Sequence, residues 1–156
     1  MIKYFVIAII VGYFCGCLQC GYFIGKLNGI DIRNYGSGNA GATNVLRVLG
    51  KLMSLCTFLG DALKGFIPVL LVKFWIGPAI FGSDASGLAM SRLLQLVLGI
   101  AVVLGHDYPF FLHFKGGKGI STSAAVMMAF NPIMGFASLF IFLAAVIPTR
   151  YVSLGS

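Results

Sequence analysis

The sequence predicts an all-α, polytopic membrane bundle of about five helices, with glycine-rich loops facing the cytoplasm. Three observations carry that expectation. Of 156 residues, 59% are hydrophobic and 10% charged, and mean hydropathy is +0.98; a soluble fold of this size has no interior large enough for so much apolar surface. The apolar residues come in long runs rather than in strand-like alternation. The cations fall largely between those runs, where they orient the chain. The length fits one domain over residues 1–156.

The first run, Tyr4 to Ile24, is long enough to cross a hydrocarbon layer of about 30 Å. A secretory leader would have a shorter core and a soluble domain behind it. The second run, Leu52 to Ile76, carries Asp61, Lys64, Pro68 and Lys73. The third spans Leu88 to Gly105, with Arg92 and Gln95 near its start. The last, Ile120 to Ile147, is broken by Asn131-Pro132 and reads as two short helices in a hairpin, because proline disfavours helix at the residue before it.

Net charge is +7, from 11 Lys and Arg against 4 acidic residues. On so apolar a chain this points to cytoplasmic loops, anionic lipid or anionic substrates. Nucleic acid is not an expected partner, since no basic helix stands outside the apolar segments. The loop from Lys26 to Lys51 also contains Arg33 and Arg47. The loop from His106 to Gly119 contains Lys115 and Lys118, and the tail contains Arg150. The segment Gly77 to Gly87 holds Asp84 and no cation. The positive-inside rule therefore puts both loops and the tail in the cytoplasm and the amino terminus outside. Cys15, Cys17 and Cys20 share one apolar run, with Cys56 in the next. They read as small membrane-embedded thiols; no His or acidic residue adjoins them to complete a metal site, and none is expected. Leu18-Gln19-Cys20-Gly21 is a poor lipoprotein cleavage site, with a bulky amide at its centre and further spans behind it.

The first loop, from Asp31 to Lys51, reads DIRNYGSGNAGATNVLRVLGK. Glycines let backbone N–H groups turn inward without Cβ clashes, and such a nest cradles anions. Gly36, Gly38 and Gly41 would shape it. Ser37, Asn39, Thr43 and Asn44 add hydrogen bonds, and an arginine can hold phosphate in a bidentate fork. The same glycines satisfy G-x-G-x-x-G, with Asp61 twenty residues beyond the last of them. A dinucleotide site needs a preceding strand and a βαβ unit, and neither is present. A plain interhelical loop needs fewer glycines than this one has between Gly29 and Gly50.

The second loop, Leu104 to Thr122, reads LGHDYPFFLHFKGGKGIST. Gly116, Gly117 and Gly119 surround Lys118 ahead of an apolar helix, so N–H groups at that helix start, with Lys115 and Lys118, suit a phosphate. It is not a Walker loop, since Lys118 precedes Gly119 rather than Ser or Thr. Phe110, Phe111 and Phe114 belong at the membrane interface. His106 is a candidate base, and equally a structural histidine beside Asp107. Asp61 and Lys64, three apart on a helix, read as an ion pair supporting the loops; a functional role is the alternative for charges inside a span.

The segments GIDIRNYGSGNAGATNVLRVLGK, DALKGFIPVLL, VLGHDYPFFLHFKGGKGIST and TRYVSLGS together resemble the bacterial acyl-phosphate–dependent glycerol-3-phosphate acyltransferases, the PlsY family. The resemblance covers nearly the whole chain in order and spacing. It implies transfer of a fatty acyl group from acyl phosphate to the 1-hydroxyl of glycerol 3-phosphate, giving lysophosphatidate and phosphate at the inner membrane. No cofactor, coenzyme A, acyl carrier protein or metal is implied. It marks Ser37, of GSGN, and Arg47 as catalytic, and Lys118, of GGKG, as part of a phosphate-binding loop.

The residues suit that chemistry. Two phosphate-bearing substrates need two anion sites, and an activated acyl phosphate needs no enzyme nucleophile, only positioning and charge stabilisation. The hydroxyl proton would pass to a substrate phosphate oxygen, or else to His106. Two departures from the family stand out. Cys17-Leu18-Gln19 replaces the usual Ser-x-Pro, which affects the kink of the first helix. The family also continues beyond SLGS with more helix and a basic motif expected to help form the active site. Two other readings remain at this point: a transporter of an anionic metabolite, which would predict inverted repeats and broken helices at the midplane, and a non-catalytic remnant. Oligomeric state is not legible.

Overall fold

In the computed structural model the described residues are 1–149, and their regular structure is all helix, with no strand among them. Arg150 and the rest of TRYVSLGS lie outside the described residues. Helices α1 (Ile2–Cys17) and α2 (Cys20–Leu27) form one broken span. After the first glycine loop come α3 (Ala42–Leu49) and α4 (Lys51–Leu71). A π-helical turn, Val72–Ile76, leads to α5 (Gly77–Phe81), and α6 (Ala85–Asp107) returns. The second glycine loop precedes α7 (Ile120–Phe130), and α8 (Pro132–Thr149) follows.

Among the described residues four helical stretches are long and apolar enough to cross a membrane: Ile2–Leu27, Lys51–Phe81, Ala85–Leu112 and Pro132–Thr149. The chain is a multi-pass membrane protein of helices, and these four stretches do not confirm the expected count of about five. Helix α7 has 11 residues; at 1.5 Å per residue that is roughly 16 Å, short of a hydrocarbon core of about 30 Å. Asn131, extended at φ −146°, ends α7 as the residue before Pro132, and its side chain accepts from Ile133 N at 3.0 Å. The break was therefore legible, while the unequal lengths of the two helices were not.

Helices α1 and α6 pack backbone to backbone. A Cβ on Gly16 would overlap the Val102 carbonyl, and one on Gly105 would overlap the Tyr13 carbonyl. Small residues at such spacings allow the dispersion contacts that hold helices together in lipid, where burial from water drives little. Below this seam, Ala8, Val69, Val72, Leu94, Leu98 and Ala129 form the main apolar cluster. A second cluster of Ile32, Ala40 and Val45 lies beneath the first glycine loop. It is organised by α3, a short helix inside the stretch that reads as loop in the sequence.

The first span breaks at Leu18 and Gln19 despite lacking the Ser-x-Pro of the family it resembles. Gln19 is extended (φ −87°, ψ 90°). Breaking a helix within the membrane orphans backbone groups that water cannot reach. Here Lys64 Nζ donates to Leu18 O at 2.6 Å, and Cys20 N donates to Asp61 Oδ1 at 3.4 Å. The intramembrane ion pair of α4 thus replaces the missing helical bonds. At the other end of the bundle, Lys73 Nζ donates to Ala129 O and Phe130 O, 2.9 and 3.1 Å away. This places a cation on the carbonyl end of α7, where the helix dipole favours it.

Candidate functional site

The two glycine loops meet. Between them lies a cavity of about 260 Å³. The first loop lines it with Arg33, Asn34, Ser37, Gly38 and Asn39, the second with Lys115 and Gly116. Seventy-odd residues separate these walls in sequence, and the paired spans bring them to one end of the bundle.

The first wall is built around Asn44. This side chain, on α3 and 1% exposed, accepts from Ser37 N at 2.8 Å and donates to Ile32 O and Tyr35 O at 3.1 and 3.0 Å. Its amide is spent on the loop, so Asn44 shapes the nest rather than facing a ligand. Gly36 sits at φ +60°, where a Cβ would overlap Asn44 Oδ1; both the backbone conformation and the space require glycine. Asn39 Oδ1 accepts from Gly41 N at 2.7 Å, which leaves its amide N–H groups for the cavity.

Arg33 was not among the residues singled out for the site, although its position beside the glycine motif was the available signal. Its Nε and one terminal nitrogen donate to Asp31 at 3.0 and 2.8 Å, and its guanidinium lies 5.1 Å from the Tyr22 ring centroid. The Arg33 hydrogen bonds, outweighing desolvation, hold the Asp31 carboxyl down at about 2, against an ordinary 3.8. The guanidinium is thereby anchored at the cavity edge with donors remaining. Asn34 is the other lining residue that the motif alone did not mark.

The second wall rests on the end of α6. Gly116 N donates to Asp107 O at 3.0 Å and Gly117 N to His106 O at 3.1 Å. A Cβ on Gly116 would overlap the His106 carbonyl, and one on Gly117 would overlap the His106 ring. His113 and Phe114, both left-handed at φ 57° and 59°, turn the chain back into Lys115. Phe110, Phe111 and Phe114 are exposed; Phe111 stacks on Phe23 and Phe110 meets Phe14 edge-on, as interfacial anchors would.

Of the residues singled out from sequence, Ser37, Gly38, Asn39, Lys115 and Gly116 line the cavity. Gly36, Gly41 and Asn44 build the wall behind it, and Gly117 and Gly119 pack on α6. Thr43 and Arg47 lie exposed on α3, and Lys118 is exposed beside the second wall. His106 is 2% exposed and does not line the cavity. A larger cavity of about 570 Å³, between Lys73, Arg92, Gln95 and Asn131, lies at the far end of the bundle; Arg92 and His106 are roughly 21 Å apart along α6. Among the described residues no three His, Cys, Asp or Glu side chains lie together as a metal site.

A family model described as Glycerol-3-phosphate acyltransferase matches residues 6–156. The chain belongs to the glycerol-3-phosphate acyltransferase family. A relative of that name from Thermoanaerobacter sp. (strain X514) is 46% identical over 154 residues, covering 98% of this chain and 71% of that protein. Another, from Clostridioides difficile (strain 630), is 43% identical and covers 97% and 71%. The fold agrees with the crystal structure of PlsY (YgiH), an integral membrane glycerol 3-phosphate acyltransferase, in its glycerol 3-phosphate form. Its TM-score is 0.79 at 41% identity, over 97% of this chain and 70% of that one. The lysophosphatidic acid form gives a TM-score of 0.77 at 40% identity, over 97% and 69%.

Proposed function

We propose that this chain, acting as a single membrane domain, transfers a fatty acyl group from acyl phosphate to the 1-hydroxyl of glycerol 3-phosphate. The observation that carries the reading is the cavity of about 260 Å³ in which Arg33, Ser37 and Asn39 of the first loop meet Lys115 of the second. A polar, cationic cavity at the membrane edge suits a phosphate head group, while the acyl tail stays between helices.

Ser37, Asn39 and the amide of Gly36 hold one phosphate, with Arg33 at its edge, in a turn that Gly38 closes by donating to Tyr35 O. Lys115, Lys118 and the amide of Gly119 hold the other, on a loop that the Gly116 and Gly117 amides pin to the end of α6. Arg47, supported by the family resemblance, closes over the leaving phosphate from α3, helped by Thr43; Gly41 and Asn44 keep that helix and loop in register. The glycerol hydroxyl oxygen attacks the acyl carbonyl carbon, and the acyl carbon–oxygen bond to phosphate breaks. The hydroxyl proton passes to a phosphate oxygen of the substrate. Buried His106, engaged elsewhere, is poorly placed as the base. Catalysis is then positioning and neutralisation of charge on the departing phosphate. No step calls on a cofactor.

The distribution of cations supports an inner-membrane orientation with both loops in the cytoplasm, where soluble glycerol 3-phosphate reaches them. The test is direct. The purified chain in proteoliposomes, given acyl phosphate and glycerol 3-phosphate, should form lysophosphatidate and release one phosphate per product. Absence of product with folded protein overturns the reading.

A further inference from the structure

Lys64 lies at the centre of a junction that the acyl-transfer steps do not use. Its ammonium has three donors, and three acceptors surround it: Asp61 Oδ1 at 2.9 Å, Leu18 O at 2.6 Å and His106 Nδ1 at 2.7 Å. The side chains of Lys64, Asp61 and His106 are 5%, 2% and 3% exposed. An ammonium only donates, so Nδ1 of His106 accepts and the imidazole is the neutral tautomer protonated at Nε2. That ring edge faces Gly117, where a Cβ would overlap it. His106 O is held in turn by Gln19 Nε2 at 2.6 Å, and Asp61 O accepts from Thr122 Oγ1 at 2.9 Å.

Both walls of the cavity hang on this junction. On one side, Lys64 and Asp61 hold the break from which α2 departs, and α2 carries the first loop: a Cβ on Gly21 would overlap the Ala40 carbonyl. On the other side, His106 and Asp107 accept the amides of Gly117 and Gly116. Burying three ionisable groups is a poor route to stability, because apolar packing of equal volume does as well or better. What the charges add is direction: one ammonium with three fixed acceptors admits one arrangement of three segments.

We propose that Lys64 is a positioning residue for the phosphate site, setting the separation of the two glycine loops through Asp61 and His106. The inference rests on the acyltransferase reading for its kinetic consequence but not for its structural one. The test compares the chain with a Lys64→Met variant in proteoliposomes, by amide hydrogen exchange and by steady-state kinetics. Exchange at Gly116 and Gly117 is expected to rise about tenfold while residues 91–102 of α6 exchange as before. The KM for glycerol 3-phosphate is expected to rise about tenfold, with a smaller change in kcat. Unchanged loop exchange overturns the proposal, whatever the turnover.

If Lys64→Met loses protection throughout α4 and α6, His106→Asn and His106→Leu decide. Asn offers an acceptor in place of Nδ1 and Leu offers none. Loop protection retained in Asn and lost in Leu supports positioning, and equal loss in both overturns it. Should the parent chain make no lysophosphatidate while the loop-exchange contrast holds, the acyltransferase reading fails and the positioning role stands.

Discussion

Lys64 Nζ and His106 Nδ1 lie 2.7 Å apart across 42 positions of sequence. A cation and an imidazole at that distance are compatible only with a neutral ring accepting the bond. His106 is therefore committed to the bundle, and the proposed mechanism leaves the proton of the acyl acceptor to substrate phosphate. The same ammonium donates to Leu18 O at 2.6 Å, which supports the break in the first span without a proline.

Arg47 lies exposed on α3, without a hydrogen bond or ion pair among the described residues. Its replacement should leave the fold intact, within about 0.5 kcal/mol. Arg47→Ala is expected to abolish turnover, by about a hundredfold or more, with an unchanged melting temperature in detergent. A variant that still turns over at the parent rate would remove Arg47 from the mechanism.

Asn44 makes three hydrogen bonds that hold the first loop. Asn44→Ala leaves the Ser37 amide without its partner and takes one of two donors from each of the Ile32 and Tyr35 carbonyls, at a cost of about 1–3 kcal/mol. Faster proteolysis between residues 33 and 41, together with weaker glycerol 3-phosphate binding, is the expected outcome. Asn44→Asp keeps the acceptor for Ser37 N but loses both donations, so it should fall between.

The Asp31–Arg33 pair sets a pH window. The carboxyl ionises at about 2 in the fold and at an ordinary 3.8 outside it, so the pair's contribution is complete above pH 3.8 and disappears as pH falls toward 2. Protection of the Arg33 amide, which donates to Asp31 Oδ1 at 3.1 Å, should be flat from pH 5 to 8 and decline below about 4. In Asp31→Asn that decline should be absent.

Gly16 and Gly105 let α1 and α6 touch at their backbones. Gly16→Val forces the helices apart, and overpacking of this kind costs about 1–3 kcal/mol or more. A melting temperature several degrees lower is expected. Cys15→Val, one position away at a half-exposed site, should stay near the parent value. Equal loss in both variants would mean that the seam is not what the glycines serve.

Much of the candidate site's lining was legible because a glycine-rich, polar loop leaves a local mark. Glycines, hydroxyls, amides and cations clustered within twenty residues, and Ser37, Gly38, Asn39, Lys115 and Gly116 were found that way. Asn44 carried the same mark and proved to hold the loop, since residue type does not reveal which partner an amide will take. Arg33 and Asn34 were passed over because their place at the cavity depends on how the loop folds back over α3. The lengths of α7 and α8 were not legible, because hydropathy measures apolarity and says nothing of where a hydrogen-bond ladder stops.

Composition, the long apolar runs and the placing of cations determined by themselves that this is a helical membrane protein with two glycine-rich, basic loops; lipid and turn geometry each constrain residue types locally. Only the tertiary structure decided that the loops share one cavity, that α3 lies within the first of them, and that Asp61, Lys64 and His106 form one junction. The reason is physical. An ammonium buried in a membrane must find its acceptors in space, and here it draws them from three segments that the sequence keeps far apart.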